Sequence, residues 1–499
     1  MRRSRSIRVL LAAILAASGP ALSTEASNPA LLKLLKVLKD RGTLSAQEYD
    51  ELVAAAQAES GPATPAPVVA ATLSVTPPVA SNIDPVAPSA SPDTSKKPET
   101  VSVSPASQAR FGAVSDKPAE KAKAPKWYDQ LNLRGYTQFR YHSILDREGA
   151  ELNVPNDRSV SENNTFYIRR GRVILSGDVS EHLGLYIQPD LNATPSSGDF
   201  SVQLRDMYGD VYLDKAKEYR IRLGQSKVPY GWSNMQSSGN RAALERTDAI
   251  NSAAEGERDI GAFFYWAPDE IRKRYADLVK LGLKGSGDYG VIGFGGYSGQ
   301  GLNRLDLNNT PHAVAKLSYP FQLASGQYFE AGVHAYSGKF VTSTQSITVS
   351  GNTFTPSARA GGITDERVGI AAIWYPQPFG IEAEWNVGRG PELSSDRRRI
   401  GADMLHGGYV QFAYKDQNKL GNWFPFARWQ YYSGGRKFAS NAPHSLVNEV
   451  DLGIEWSPWN PVEFTLQYTH TVDRTNTRTA PYADTTSADR ISIQAQINY

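Results

Sequence analysis

Cysteine is missing from the 499-residue chain. That single gap removes disulfide scaffolds, thiol nucleophiles, cysteine zinc sites and cysteine-ligated iron–sulfur clusters. Net charge is almost nil: 53 Lys and Arg stand against 51 Asp and Glu, so the balance points to no nucleic acid and no acidic partner. Past the N-terminus no apolar run approaches the roughly 18 residues a spanning helix needs, and mean hydropathy is −0.42. A helical membrane protein is thereby excluded. The seven histidines, His142, His182, His312, His334, His406, His444 and His470, are scattered without His-Glu-x-x-His spacing, so no metal or cofactor is expected. What the chain does have is 25 Tyr, 9 Trp and 42 Gly beside only 4 Met, a profile that suits a large β protein.

The chain opens on Arg2, Arg3, Arg5 and Arg8, a short apolar stretch from Val9 to Ala17, and small residues at Ala21 and Ser23. This is the three-part pattern of a secretory signal peptide over 1–23, and the apolar stretch is too short for a membrane anchor. Over 28–60, Leu31, Leu34, Leu35 and Leu38 recur at helical spacing. Gly42 then breaks the run, and Ser45-Ala46-Gln47-Glu48 forms a capping box for a second helix carrying Tyr49, Leu52 and Val53. So small a hairpin cannot bury its own apolar face, which points to an oligomerisation segment, with a frayed amphipathic segment as the alternative. It resembles short helical oligomerisation segments with a Gly-x-Leu-Ser-x-x-Glu-Tyr turn. Residues 61–126, rich in Pro, Ala, Ser, Val and Thr, form a disordered linker with no core.

From Trp127 onward the hydropathic period is two. Along Leu131–Tyr141 one face carries Leu, Leu, Gly, Thr, Phe and Tyr, and the other Asn, Arg, Tyr, Gln and Arg, the signature of a sheet with one dry and one wet side. Similar runs recur to Tyr499, sixteen in all. Short connections (Asp178–Glu181, Asp214–Glu218, Gln322–Gln327, Pro376–Pro378, Asp416–Asn422, Ser457–Asn460) alternate with long ones (142–165, 229–258, 341–365, 389–406). Tyr141, Tyr167, Tyr230, Trp232, Trp266, Trp374, Tyr375, Trp423, Trp456 and Trp459 crowd the strand ends as candidate interfacial girdles. The segment 276–285 could form a seventeenth strand. With Ile271, Tyr275 and Leu278 it also makes a helical stripe, and an even strand count favours an enlarged turn. The expected fold over 127–499 is all-β, a sixteen-stranded antiparallel transmembrane β-barrel preceded by the helical hairpin and disordered linker. A β-propeller or secreted sandwich accounts for neither the terminal strand nor the missing blade repeat.

Two stretches carry a family resemblance. Phe166-Tyr167-Ile168-Arg169-Arg170-Gly171-Arg172 and Leu204-Arg205-Asp206-Met207-Tyr208 lead into Arg220-Ile221-Arg222-Leu223-Gly224-Gln225-Ser226-Lys227-Val228-Pro229-Tyr230-Gly231, followed by Arg258-Asp259-Ile260-Gly261. This resembles the phosphate-selective porin O and P family over about 127–499. The resemblance implies a trimeric sixteen-stranded outer-membrane channel, with its third external loop, about 230–258, folded into the pore.

Inward parity places Arg134, Arg140, Arg170, Arg172, Arg220 and Arg222 on the lumen. Such pairs at i and i+2 stand about 7 Å apart and could pass an oxyanion along by charge-assisted bonds. Lys227, with Arg241, Arg246 and Arg258 in the inward loop, are the constriction candidates. Arg170 is a candidate partner for Asp190 or Asp206. Acidic residues gather on the later wall, at Glu330, Glu382, Glu384, Glu449, Asp451, Glu455 and Glu463, which would set a field across the channel. The expected partners are a homotrimer, outer-membrane lipid and lipopolysaccharide, and small anions such as phosphate or polyphosphate. A weakly selective porin, or an envelope tether reaching periplasmic cell-wall components, is the alternative. No enzyme motif survives: Gly285-Ser286-Gly287-Asp288-Tyr289-Gly290 matches a dinucleotide fingerprint in letters but opens no helix.

Overall fold

The computed structural model describes residues 126–152, 160, 165–194, 199–476 and 484–499, with six helical positions between Lys36 and Val53. There are two compact units, Met1–Ser115 and Asp116–Tyr499. In the first, Lys36, Lys39, Ala46, Tyr49, Asp50 and Val53 are helical, and the Lys39 ammonium lies 4.3 Å from the Tyr49 ring centre. The expected signal peptide, and the expected linker apart from Lys126, lie outside the described residues.

The second unit is a closed barrel of sixteen antiparallel strands. These are β1 (Leu131–Gly149), β2 (Thr165–Ser180), β3 (Leu183–Thr194), β4 (Asp199–Tyr212), β5 (Tyr219–Lys227), β6 (Arg258–Trp266), β7 (Ile292–Tyr297) and β8 (His312–Gln322). They continue as β9 (Tyr328–Phe340), β10 (Ile363–Trp374), β11 (Phe379–Leu393), β12 (Ile400–Tyr414), β13 (Gly421–Gly435), β14 (His444–Trp459), β15 (Val462–Thr475) and β16 (Asp484–Asn498). Each pairs with the next, and β1 closes the sheet on β16 from Tyr136↔Asn498 to Gly149↔Thr486. A closed sheet has no open edge, so along the paired span the strand amides find partners even in a medium without water.

The period of two decides what faces where. On β10, Val368, Ile370 and Trp374 point outward and are exposed, while Asp365 and Arg367 point inward and are buried. On β14, Leu452 and Ile454 face out and Glu449, Asp451 and Glu455 face in. In a water-soluble protein this inversion would be untenable; in lipid the apolar outer face is matched to its solvent, and a charge there would cost about 2–4 kcal/mol at mid-depth. Trp423 and Trp456 stack 5.3 Å apart near the short-turn end, with exposed Trp374, Phe379 and Trp459 at the same level, forming one aromatic girdle. Four expected girdle members face the other way. Tyr167 and Tyr375 have inward parity, and Tyr230 and Trp232 lie in the inward loop, all four buried.

Two connections also differ from expectation. β1 runs on to Gly149, and β11 and β12 meet across residues 394–399 only, so the expected long connection 389–406 is short. Strand hydrogen bonding continues past the apolar band, where Arg147 and Glu148 still pair with β16. The ambiguous segment forms no strand: its first half, to Lys280, belongs to a helix, α3 (Asp269–Lys280), with Ile271, Tyr275 and Leu278 buried against Ala371, Ile373 and Tyr375 of the inner wall. Its Tyr275 hydroxyl donates to the Ser318 carbonyl at 3.1 Å. The glycine run 285–290 joins α3 to β7 and opens no helix.

Candidate functional site

Between β5 and β6 the chain turns inside the barrel. Residues 228–257 hold two one-turn helices, α1 (Trp232–Met235) and α2 (Asp248–Asn251). Gly231, at φ 80°, makes the turn into α1, a left-handed conformation that suits glycine. Apolar anchors grip opposite sides of the lumen. Val228, Tyr230, Ala253 and Ala254 pack with Phe263, Tyr297 and Tyr336, and Ala249 packs with Leu405, Tyr432 and Val447.

Polar pins complete the attachment. The Trp232 and Ser233 amides donate to Glu384 at 2.7 and 3.1 Å, the Leu244 amide to Gln467 at 2.9 Å, and the Asp248 amide to Gln430 at 2.8 Å. Arg367 and Asn386 both donate to the Ala249 carbonyl. The loop is therefore fixed to β10, β11, β13 and β15, and it narrows the lumen as a rigid element.

The expected arginines reach the lumen, but few remain open to a solute. Arg140 and Arg170 both meet Glu245 of the loop, at 2.9 Å each, so Arg170 pairs with neither Asp190 nor Asp206. Arg172 takes Asp190 at 2.9 Å, Arg258 takes Asp206 at 2.9 Å, and Arg222 grips Asp210 by two bonds of 2.8 Å. Arg220 meets Asp288 at 3.1 Å, and Arg246 meets Glu257 at 2.8 Å. Lys227 donates to the carbonyls of Met235 and Gln236 at 2.7 Å each, making it a strut for the loop. The cause is general: in a narrowed lumen a buried cation is costly until a carboxylate or carbonyl replaces its water.

Arg134 is exposed at the short-turn end of the lumen. Arg241 is the exception within the loop. It is buried and donates from Nη2 to the Leu244 carbonyl, yet its Nε and Nη1 have no partner. They border a cavity of about 20 Å³ shared with Ser233, Thr247, Glu382, Tyr409 and Arg428. Burial, and next Arg246, push the Arg241 pKa well below its usual value. Burial pulls Glu245 the other way, but Arg169, Arg170 and Arg140 outweigh it and hold its carboxyl well below the usual range.

Sequence reading missed several inward cations, among them Arg367 and Arg428, which hold the loop, and also Arg169 and Arg490. Arg169 joins the Glu245 cluster at 3.0 Å because a bulge between the Gln138↔Arg170 and Phe139↔Ile168 pairs turns two consecutive residues inward. Strict alternation cannot reveal that. Arg490, buried with Nε and Nη1 unpartnered, shares inward parity with Ser492, Gln494 and Gln496, so alternation alone could have found it.

Asp248 gives the loop a pH dependence. Burial first, with Asp473 adding to it and Arg436 and Arg428 opposing, raises its pKa from 3.8 to about 6. A raised carboxyl pKa stabilises docking fully below the unfolded value, and that contribution is lost as pH rises through about 6. Zero-current potentials at pH 5 and 7.5 should thus show stronger anion preference at pH 5. Asp248→Asn should shrink that step; an undiminished step in the variant would assign the titration elsewhere.

A family model described as phosphate-selective porin O and P matches residues 146–499. Among solved structures, the trimer form of in-vitro folded OmpT from Vibrio cholerae aligns at 12% identity over 74% of this chain and 99% of that one, with a TM-score of 0.46. The outer-membrane channel DcaP of Acinetobacter baumannii aligns at 13% identity over 74% and 97%, with a TM-score of 0.45. An anion-selective porin from Comamonas acidovorans aligns at 9% over 74% and 99%, with a TM-score of 0.42. No curated protein sequence matches the chain.

Proposed function

The chain belongs to the phosphate-selective porin O and P family, an outer-membrane channel family, and from that premise we propose that it forms a homotrimer passing small anions, phosphate among them, through the constriction made by loop 228–257. The observation that carries this reading is the state of Arg241. Its Nε and Nη1 are buried and unpartnered, whereas the loop's Glu245 and Glu257 are each committed to arginines. A guanidinium without an ion-pair partner in a narrowed lumen holds a positive potential there that favours anions in transit. Arg490, buried with Nε and Nη1 likewise unpartnered on β16, supports the same sign. Arg134, Arg140, Arg170, Arg172, Arg220, Arg222, Arg246, Arg258 and Lys227 shape the lumen's potential and hold the loop, most of them through the pairs described above.

The test is charge reversal. Arg241→Glu should move the zero-current potential in a potassium chloride gradient toward cation preference, with folding and heat stability retained. An unchanged potential would remove Arg241 from the solute path.

A weakly selective channel for small hydrophilic solutes is the second reading, favoured by Glu330, Glu384 and Glu449 buried on the wall opposite the arginine-rich strands. Phosphate added against chloride separates the two, since only the first reading has phosphate reduce the chloride current at low concentration. The helical positions between Lys36 and Val53 support an oligomerising or cell-wall-facing element over 28–60. It would follow a signal peptide over 1–23, and a linker over 61–126 would join it to the barrel.

A further inference from the structure

The lumen wall from β1 to β6 carries more tyrosine than a water-filled channel needs. Tyr186 and Tyr208, adjacent across β3 and β4, lie parallel, with ring centres 5.1 Å apart and planes 5° from each other. The Arg222 guanidinium covers the far face of Tyr208 at 3.8 Å, and the same guanidinium lies 5.4 Å from Tyr265 and 5.7 Å from Tyr289. The result is a column, Tyr186, Tyr208, Arg222, held rigid because Asp210 grips Arg222 by two bonds and the Tyr186 hydroxyl donates to Gln188 at 2.9 Å.

One end of the column is open. Tyr186 is only partly buried, and its partner on β2 is Ser176, whose side chain is too short to cover a ring. Across Ser176, on β1, lies Asn132, and Arg134 stands two residues along on the same face, opposite Ile174 and diagonal to Ser176. Arg134 is exposed to the lumen, within electrostatic reach of Tyr186, and has no ion-pair partner among the described residues. The charged groups nearby are largely committed to one another, Arg172 with Asp190 and Arg258 with Asp206, although Gln188 Nε2 and Asp190 Oδ1 are without a partner. Among the described residues the wall therefore offers a flat π face and, in Arg134, a cation without an ion-pair partner.

We propose that Tyr186 and Arg134 form a binding site for aromatic carboxylates at the periplasmic end of the lumen: the solute's ring continues the stacked column on Tyr186 and its carboxylate meets Arg134. Offset stacking on a tyrosine strengthens binding by about 2- to 10-fold over an equal apolar contact, and the guanidinium fork suits a carboxylate. The inference deepens the anion-channel reading and rests on it.

Benzoate and cyclohexanecarboxylate test it, since they share a charge and a similar size but only one is flat. Added from the periplasmic side of single channels carrying chloride current, benzoate should halve the current at about 2- to 10-fold lower concentration. Tyr186→Leu should bring the two half-blocking concentrations together without altering the zero-current potential, and Arg134→Gln should raise both. Equal half-blocking concentrations in the unaltered channel, or a benzoate preference that survives Tyr186→Leu, would overturn the site; an Arg134→Gln channel blocked like the parent would remove Arg134 from it. Anion preference without benzoate preference defeats this inference alone, whereas a cation-preferring channel defeats the reading beneath it.

Discussion

Replacing Glu245 with Gln should raise the anion-to-cation permeability ratio more than any other single change in the lumen. Glu245 is shared by Arg140, Arg169 and Arg170 at 2.9–3.0 Å, and Arg428 donates to its backbone carbonyl. Losing the carboxylate leaves three guanidiniums without their common counter-charge. Removing one partner of a buried ion pair costs roughly 3–5 kcal/mol, so part of the loop's attachment to β1 and β2 is lost and the lumen there becomes more positive. If the change at the constriction reaches about 1.4 kcal/mol, the permeability ratio rises roughly tenfold. Open-channel noise should increase with it, because β10, β11 and β13 still hold the loop from the other side. Glu245→Asp, which keeps the charge on a shorter stem, should shift the ratio little. An unchanged ratio in Glu245→Gln would show that these arginines lie outside the conducting path.

Gly135→Val should abolish barrel closure. A side-chain carbon at Gly135 would sit 2.3 Å from the Arg172 carbonyl oxygen and 2.5 Å from the Tyr499 ring. The exposed Tyr499 ring can swing aside, but the Arg172 backbone carbonyl cannot retreat cheaply. Gly135 exchanges two backbone hydrogen bonds with Tyr499, at 2.6 and 3.0 Å, and those bonds tie the first strand to the chain's last residue. The change belongs to the exceptional class above about 4 kcal/mol, and the closed, heat-modifiable form should vanish from unboiled electrophoresis. Tyr499→Leu keeps both backbone bonds and loses only ring contacts, so it should close with reduced yield. If Gly135→Val migrates as the closed form, the seam between β1 and β16 is arranged differently.

These two sites mark how far the amino-acid pattern can be read. The wall of the barrel was legible because one local rule governs it. Val368 and Ile370 alternate with Arg367 and Gly369, and each residue's side follows from its neighbours. The helix Asp269–Lys280 was legible as well, through the spacing of Ile271, Tyr275 and Leu278. The inward arginines were located but their state was not. Whether Arg172 is open or neutralised depends on Asp190, 18 positions away, and on the register of β2 against β3. Arg140 depends on Glu245, 105 positions away, on a loop whose path no local pattern dictates. The same is true of Tyr230 and Trp232: their position beside a strand end suggested the lipid interface, but the inward loop carries them into the barrel. Parity identifies a face, and pairing requires the fold.

The pH behaviour of Asp248, the open donors of Arg241 and the arginines around Glu245 all act on one quantity, the sign and strength of selection at loop 228–257. Reconstitution of the full-length mature protein in a planar bilayer, with a tenfold potassium chloride gradient and no other solute, measures that quantity directly. Stepwise channel insertion and a zero-current potential on the chloride side are the expected result. A zero-current potential on the potassium side would contradict it.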